Sequence, residues 1–280
     1  MNIFFHKFNL TPLRAPNARE SLAPREGVFL MGERNGSLSF WEYFPHLELG
    51  DENVDGFLND FIISSTTAQK KAHLRLKEPL KNTIFPTFLN HELFIRGSTP
   101  QASILKYKLE NKTDLNFLAL IEAGYSIRLD ANGIFNQDTW SAFENQIPQI
   151  YFSKIEYIED PLEKSDWKVV RLPKARDFIS GDPYQVKIYK PYREFFPAAA
   201  PQVIFSAPMG HLLGTYLTYL ELMEHGDLNL YHGLLTPGLY QDVPELFQGN
   251  FKTGFQLRQD VLNNFLAELQ NKEWNYLCTI

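Results

Sequence analysis

Cysteine is almost absent: Cys278 is the only one in 280 residues. That excludes an internal disulfide and points to a reducing, cytoplasmic setting. No apolar run comes near the roughly 18–20 residues that a membrane span needs, so no membrane insertion is expected. The opening MNIFFHKFNL is too short and too broken for the apolar core of a signal peptide, and reads as a strand. Basic residues are in deficit, with 27 Lys and Arg against 33 Asp and Glu and a net charge of −6, which argues against general nucleic-acid binding. There is no low-complexity tract, no repeat of solenoid period and no Gly-rich phosphate loop. The seven histidines show no ligand spacing, and His91-Glu92 lacks the second histidine of a zinc helix, so structural or surface roles are their default.

What is present divides the chain in two. NIFFHKFNL, GVFLMGER and SLSFWEYF read as strands, with Asn35-Gly36 as the hairpin between the last two. VDGFLNDFIIS and TTAQKKAHLRLKEPLK follow as helices. The loop from Leu13 to Glu26 carries Arg14, Arg19 and Arg25 and is either a lid or a solvated surface loop. After about Asn82 the texture changes to eight short β runs: IFPTFLNHELF, SILKYKL, YSIRLD, IEYIED, VVRLPKARDF, YQVKIYK, QVIFS and NLYHGL. Helical stretches such as TDLNFLALIEAG and DTWSAFENQIPQI alternate with some of them, the pattern of parallel βα units and of an eight-stranded barrel. LLGTYLTYLELMEHG is a helix with Gly226 as its stop, and the tail DVLNNFLAELQNKEW is an amphipathic helix expected to pack back on the N-terminal unit. The expected division is an α+β unit from residues 1–82 plus about 245–280, and a barrel from 83–244. About a dozen residues separate Asp177 from Lys190, too few for a crossover helix once strand residues are subtracted. The barrel should therefore be trimmed, leaving apolar surface for a partner subunit, loops or chain ends; monomer and homodimer both stay open.

The chemistry concentrates in three strings. Lys106-Tyr107-Lys108 puts two lysines on one face of a strand. Paired ammonium groups make a poor core, but they hold an anion well, or depress one lysine's pKa until it serves as a base. Arg128-Leu129-Asp130-Ala131-Asn132 and Tyr157-Ile158-Glu159-Asp160-Pro161 each end a strand in an acid, and strand-end acids on successive βα units are where a barrel gathers a metal. Asp160 follows Glu159 and so points to the other face.

Lys-x-Lys, RLDAN, YIEDP, then Asp177 and Lys190-Pro191, in this order, resemble the enolase superfamily, in its muconate-lactonising branch, and most of all the o-succinylbenzoate synthase family. FWEYFP is similar to that family's Gly-Glu-x-x-Pro segment at Glu42 and Pro45, without its glycines. HGLLTPGLYQDV is similar to its His-Gly-Leu-Asp-Thr segment, with Leu235 in place of the acid. The resemblance implies a modified, trimmed (β/α)7β TIM-type barrel under an α+β capping domain. It implies one divalent metal, Mg²⁺ with Mn²⁺ possible, on Asp130, Glu159 and Asp177, with Asp182 as a competitor for the third place. It makes Lys108 the base, Lys106 its electrostatic neighbour, and Lys190 the group on the other side of a small-molecule carboxylate substrate. Arg128 and Asn132 match the family's RxDxN pattern. Ser206 lies where substrate contacts are usual, and Arg14 or Arg19 would meet a remote carboxylate under the lid.

The implied reaction is syn dehydration of 2-succinyl-6-hydroxy-2,4-cyclohexadiene-1-carboxylate to o-succinylbenzoate, a lyase step of menaquinone biosynthesis, through α-proton abstraction and a metal-stabilised enediolate. Two rivals stand beside it. An N-succinylamino acid racemase or epimerase of the same superfamily would use Lys108 and Lys190 as opposed bases. A non-catalytic barrel would keep only the metal or anion site.

Overall fold

The structure, a computed structural model, describes residues 1–13, 23–47, 50–80, 86–164, 166–179, 181–197, 200–235, 239–240 and 243–280. The chain opens with β1 (Asn2–Leu10), β2 (Arg25–Arg34) and β3 (Ser37–Tyr43), antiparallel neighbours in a four-stranded sheet. Asn35 and Gly36 turn the β2–β3 hairpin with φ of 52° and 77°, the double left-handed conformation that this dipeptide favours. Two short helices follow, α1 (Val54–Asn59) and α2 (Thr67–Arg75). The Asn53 side chain caps the first, and a Thr66–Gln69 capping box starts the second. Both are shorter than the apolar pattern predicts. α1 gives way to turns after Asn59, and α2 ends ahead of Lys77–Pro79, where a proline disfavours helix in the residue before it.

The barrel strands follow: β4 (Leu89–Asn90), β5 (Glu92–Leu93), β6 (Ile104–Lys108), β7 (Ser126–Asp130), β8 (Ile155–Glu159), β9 (Lys174–Arg176), β10 (Val186–Tyr189), β11 (Gln202–Phe205) and β12 (Tyr231–His232). Strands β5 to β11 form one parallel sheet in chain order. The ribbon 89–93 belongs to two neighbours at once: its first half pairs with β12 and its second with β6. The His91 amide donates to His232 O at 2.9 Å, and the Gly233 amide to Phe205 O at 2.8 Å, so the eight-stranded ring closes. VVRLPKARDF and NLYHGL yield only three and two strand residues. Pro173, which has no amide to give, precedes the first of these.

The helices around the ring are α3 (Phe117–Glu122), α4 (Gln137–Glu144) and α5 (Leu212–His225), with a 3-10 turn at Gln149–Lys154. Among the described residues the three crossovers from β8 to β11 carry no helix, so the helix-free crossover expected between Asp177 and Lys190 is joined by the ones on either side of it. A β13 (Phe247–Asn250)–β14 (Gly254–Leu257) hairpin, α6 (Gln259–Gln270) and β15 (Asn275–Thr279) complete the chain. β15 pairs antiparallel with β1, so both ends share one sheet. No described helix is long and apolar enough to cross a membrane.

Strand alternation sorts the core. Leu105, Ile127, Leu129 and Ile158 face outward onto Phe117, Trp140 and Phe143 of the helices. Each such side chain contributes about 1.5–3 kcal/mol by leaving water. The inward set is small (Tyr157, Ala175, Val186, Ile188 and Ile204), which leaves the barrel's upper interior to polar groups. Glu42, at the end of β3, ties the antiparallel sheet to α5. Its carboxylate accepts from His211 N at 2.6 Å and Gly214 N at 2.5 Å, satisfying the first turn of α5, which has no cap of its own.

His232 ties β12 to β11 through one ring nitrogen and to the segment before β12 through the other. Nδ1 accepts from Phe205 N at 3.2 Å, so the proton is on Nε2, which donates to Asp227 O at 3.0 Å. Burial lowers its pKa to about 4 from 6.5. The unfolded chain therefore binds a proton between those values that the fold refuses, and stability falls as pH drops through that window. Urea unfolding at pH 7 and pH 4.5 should show the wild type losing about 2 kcal/mol more than a His232→Gln variant. Equal losses would remove His232 from the acid response.

Candidate active site

The inward alternation brings Lys106, Lys108, Asp130, Asn132, Glu159, Asp177, Lys190 and Ser206 to one cavity of about 80 Å³ at the carboxyl ends of the strands. The register explains the grouping: Lys108 pairs across the ladder with Asp130, and Asp130 with Glu159. Asp177 follows β9 by one residue, one step up the wall. Asp182, the other acid weighed for the third place, is exposed and bridges to Asp166 instead.

Lys106 is the hub. Its Nζ lies 3.0 Å from Asp130 Oδ2 and 3.0 and 2.9 Å from the two Glu159 oxygens. Burial pulls this ammonium's pKa down, but Asp130 and Glu159 more than offset that and hold it well above the ordinary lysine value. Lys108 goes the other way. Burial lowers it, and the charges of Lys106 and Lys190 add to that against the pull of Asp130 and Glu159. Across the cavity Lys190 Nζ meets Asp177 Oδ2 at 2.5 Å. Burial would raise Asp177, yet Lys190 and Lys106 hold it down to about 2. Burial raises Glu159, and the nearby charges of Asp130 and Asp177 push in the same direction. Three carboxylates thus crowd one buried mouth with an all-oxygen donor set, the kind that hard divalent cations take. Among the described residues no three acid, imidazole or thiol side chains already surround a single point, because Lys106 sits between Asp130 and Glu159.

The remaining expectations lie elsewhere. Arg128 is buried below the cavity. Nε donates to Glu156 at 2.7 Å, and Nη1 contacts Tyr231 O at 2.6 Å and His91 Nδ1 at 2.9 Å. It is a strut between strands, and it does not itself line the cavity. Arg14 and Arg19 lie outside the described residues. Arg25 donates to Pro45 O and His46.

Sequence reasoning passed over His46, His91 and Phe178, which line the cavity, and gave Asp160 no role. Asp160 does face away from the mouth, at φ 43°, but its carboxylate accepts from the amides of Asp177, Phe178 and Ile179. It shapes the turn that carries Asp177. Its partners lie far along the chain, so no local spacing marks them.

The closed barrel, its antiparallel cap and this cavity make up the fold of the enolase superfamily, which the chain also resembles in its motifs. Among individual relatives, the chain is 25% identical over 291 residues to the o-succinylbenzoate synthase of Bdellovibrio bacteriovorus, covering 86% of this chain and 88% of that one. In fold it is similar to the Mg-complexed o-succinylbenzoate synthase of Thermosynechococcus elongatus, at a TM-score of 0.62 and 15% identity, over 97% of this chain and all of that one. It is equally similar to the Enterococcus faecalis dipeptide epimerase complexed with Mg and L-Leu-L-Tyr, at a TM-score of 0.65 and 11% identity, over 91% and 96% of the two chains. No family model matches the chain.

Removing the Asp160 carboxylate would orphan three half-buried amides. Asp160→Ala should cost about 3 kcal/mol in urea unfolding, and Asp160→Asn clearly less, since its amide keeps one acceptor. Equal, small losses would mean that the turn holds its shape unaided.

Proposed function

We propose that the chain is an o-succinylbenzoate synthase, dehydrating 2-succinyl-6-hydroxy-2,4-cyclohexadiene-1-carboxylate to o-succinylbenzoate in menaquinone biosynthesis. The observation that carries this reading is the pairing of a pKa-depressed Lys108 with a buried set of three carboxylates on the adjoining strands. The 25% identity to a synthase over most of both chains supports it.

Asp130, Glu159 and Asp177 would hold Mg²⁺ or Mn²⁺; when bound, the metal would draw in the substrate carboxylate and stabilise the negative charge that develops on it. Lys108, its pKa lowered by burial, takes the α-proton in its neutral form. It then returns that proton to the departing hydroxide on the same face, and water leaves. Lys106, fixed between Asp130 and Glu159, keeps its charge beside Lys108 and so favours the neutral, proton-accepting form of Lys108. Lys190 stands on the opposite wall with Asp177 and faces the other side of the ring. Asn132 and Ser206 supply polar groups around the substrate. Aromatisation drives the elimination, so the walls need only hold the substrate and balance charge, a demand that a trimmed barrel can meet.

A second reading has its own observation. Lysines on opposite walls are what a racemase or epimerase of a carbon acid needs, and the fold is also that of a dipeptide epimerase.

Turnover of the cyclohexadiene with Mg²⁺, followed by ultraviolet absorbance, should be fast in the wild type and fall at least ~10³-fold in Lys108→Ala. A folded, Mg²⁺-loaded wild type without turnover would sink the synthase reading. Succinylated amino acids in D₂O would then decide the rest: α-proton exchange supports the epimerase, and silence leaves a binding protein.

A further inference from the structure

A second cavity, of about 470 Å³, adjoins the first. It lies between the ends of β5 and β12, the start of α5 and the β13–β14 hairpin, among Leu212, Leu234, Leu246, Phe251 and Phe255. Its size is that of a small-molecule site. The two cavities share three lining residues, His91, Leu93 and Leu235. Of these only His91 is polar.

His91 is held in one tautomer. Its Nδ1 lies 2.9 Å from Arg128 Nη1, and a guanidinium can only donate. Nδ1 therefore accepts, and the ring proton is on Nε2. Arg128 cannot swing away, since Glu156 and Tyr231 O hold it at 2.7 and 2.6 Å. Burial first, and then the Arg128 charge, keep the ring neutral by holding its pKa well below the ordinary value. Gly233 leaves the other edge of the ring open: a Cβ there would lie 2.9 Å from Cε1 and 3.1 Å from Nε2. No acceptor for Nε2–H is found among the described residues.

We propose that His91 presents this fixed N–H to the substrate, receiving a carbonyl oxygen at the root of a side arm that runs on into the larger cavity. The inference rests on the synthase reading, in which the arm is the succinyl group and the acceptor is its ketone. The charged residues among the described lining of the larger cavity are Glu92 and Glu245, with no lysine or arginine. Its interior therefore suits the methylene part of an arm, and a terminal carboxylate would extend to the open side. Specificity then lies in a donor that rejects arms with no acceptor at that point, since an unpaired buried N–H would be left behind.

Two substitutions separate this role from a structural one. His91→Asn keeps an acceptor oxygen near the δ position for Arg128 but has no donor at the ε position. His91→Gln puts a donor near the ε position and gives up the acceptor. We would measure kcat and KM for the cyclohexadiene, and calorimetric binding of o-succinylbenzoate and of benzoate, all with Mg²⁺. His91→Asn should raise KM and weaken o-succinylbenzoate about tenfold, His91→Gln should stay near wild type, and benzoate, which has no arm, should not distinguish them. A larger loss in His91→Gln, or equal weakening of benzoate, would overturn the proposal. A wild type that neither turns over nor binds either compound would refute the synthase reading. The imidazole ¹⁵N spectrum decides the donor independently: a δ-tautomer or an imidazolium at His91 would overturn it, and an ε-tautomer would uphold it.

Discussion

Everything in this molecule answers to one constraint, the burial of three carboxylates and three lysines in a single barrel mouth. Charges taken out of water are costly unless each faces a partner at fixed distance. Lys106 between Asp130 and Glu159, and Lys190 against Asp177, meet that condition only if five strands keep their register. A slip of one residue in β7 or β8 would turn its acid into the apolar layer under α3 and α4 and bring Leu129 or Ile158 into the mouth. The outer core, the ladder and the Asp160 turn thus all serve to keep the charge array in place. Between the two lysines of β6 the balance is unequal: Lys106 is held above the ordinary lysine value and Lys108 below it, the asymmetry on which the proposed chemistry draws.

Much of this was written in period-two spacing. All eight β runs of the barrel could be found because each carries apolar residues at alternate positions, and the inward positions of SILKYKL and YSIRLD end in the lysines and acid that meet in the cavity. Strand length was over-read where the ladder is cut short, as at Pro173 and around His91, because pairing depends on neighbours that local sequence does not contain. Arg128 was read as a group for the anion or the metal acids. It shares a face with Asp130, but its length and its position one layer lower carry the guanidinium to His91, Glu156 and Tyr231. His91 and Asp160 were illegible for a common reason: their partners come from strands dozens of residues away or from a turn that exists only in the fold.

The missing crossover helices between β8 and β11 suit the proposed chemistry. The groups proposed to be catalytic stand on strand ends, so on that reading the helices outside them act as covering rather than as machinery. Glu42 shows what cannot be trimmed. Its two hydrogen bonds join the antiparallel sheet to the first turn of α5, whose start also borders the larger cavity.

The ring closure has a kinetic meaning as well. The seam joins the ribbon 89–93 to β12, two pieces of strand at opposite ends of the barrel sequence, through a two-residue ladder, the His91 amide and the side chain of Asn90, which accepts from Leu234 N. Bringing such distant segments together carries the largest loop-closure entropy in the barrel, so this joint forms after the local βα pairs and opens before them. Because the same seam divides the two cavities, breathing of the barrel would be felt first at the boundary between the catalytic groups and the chamber beside them.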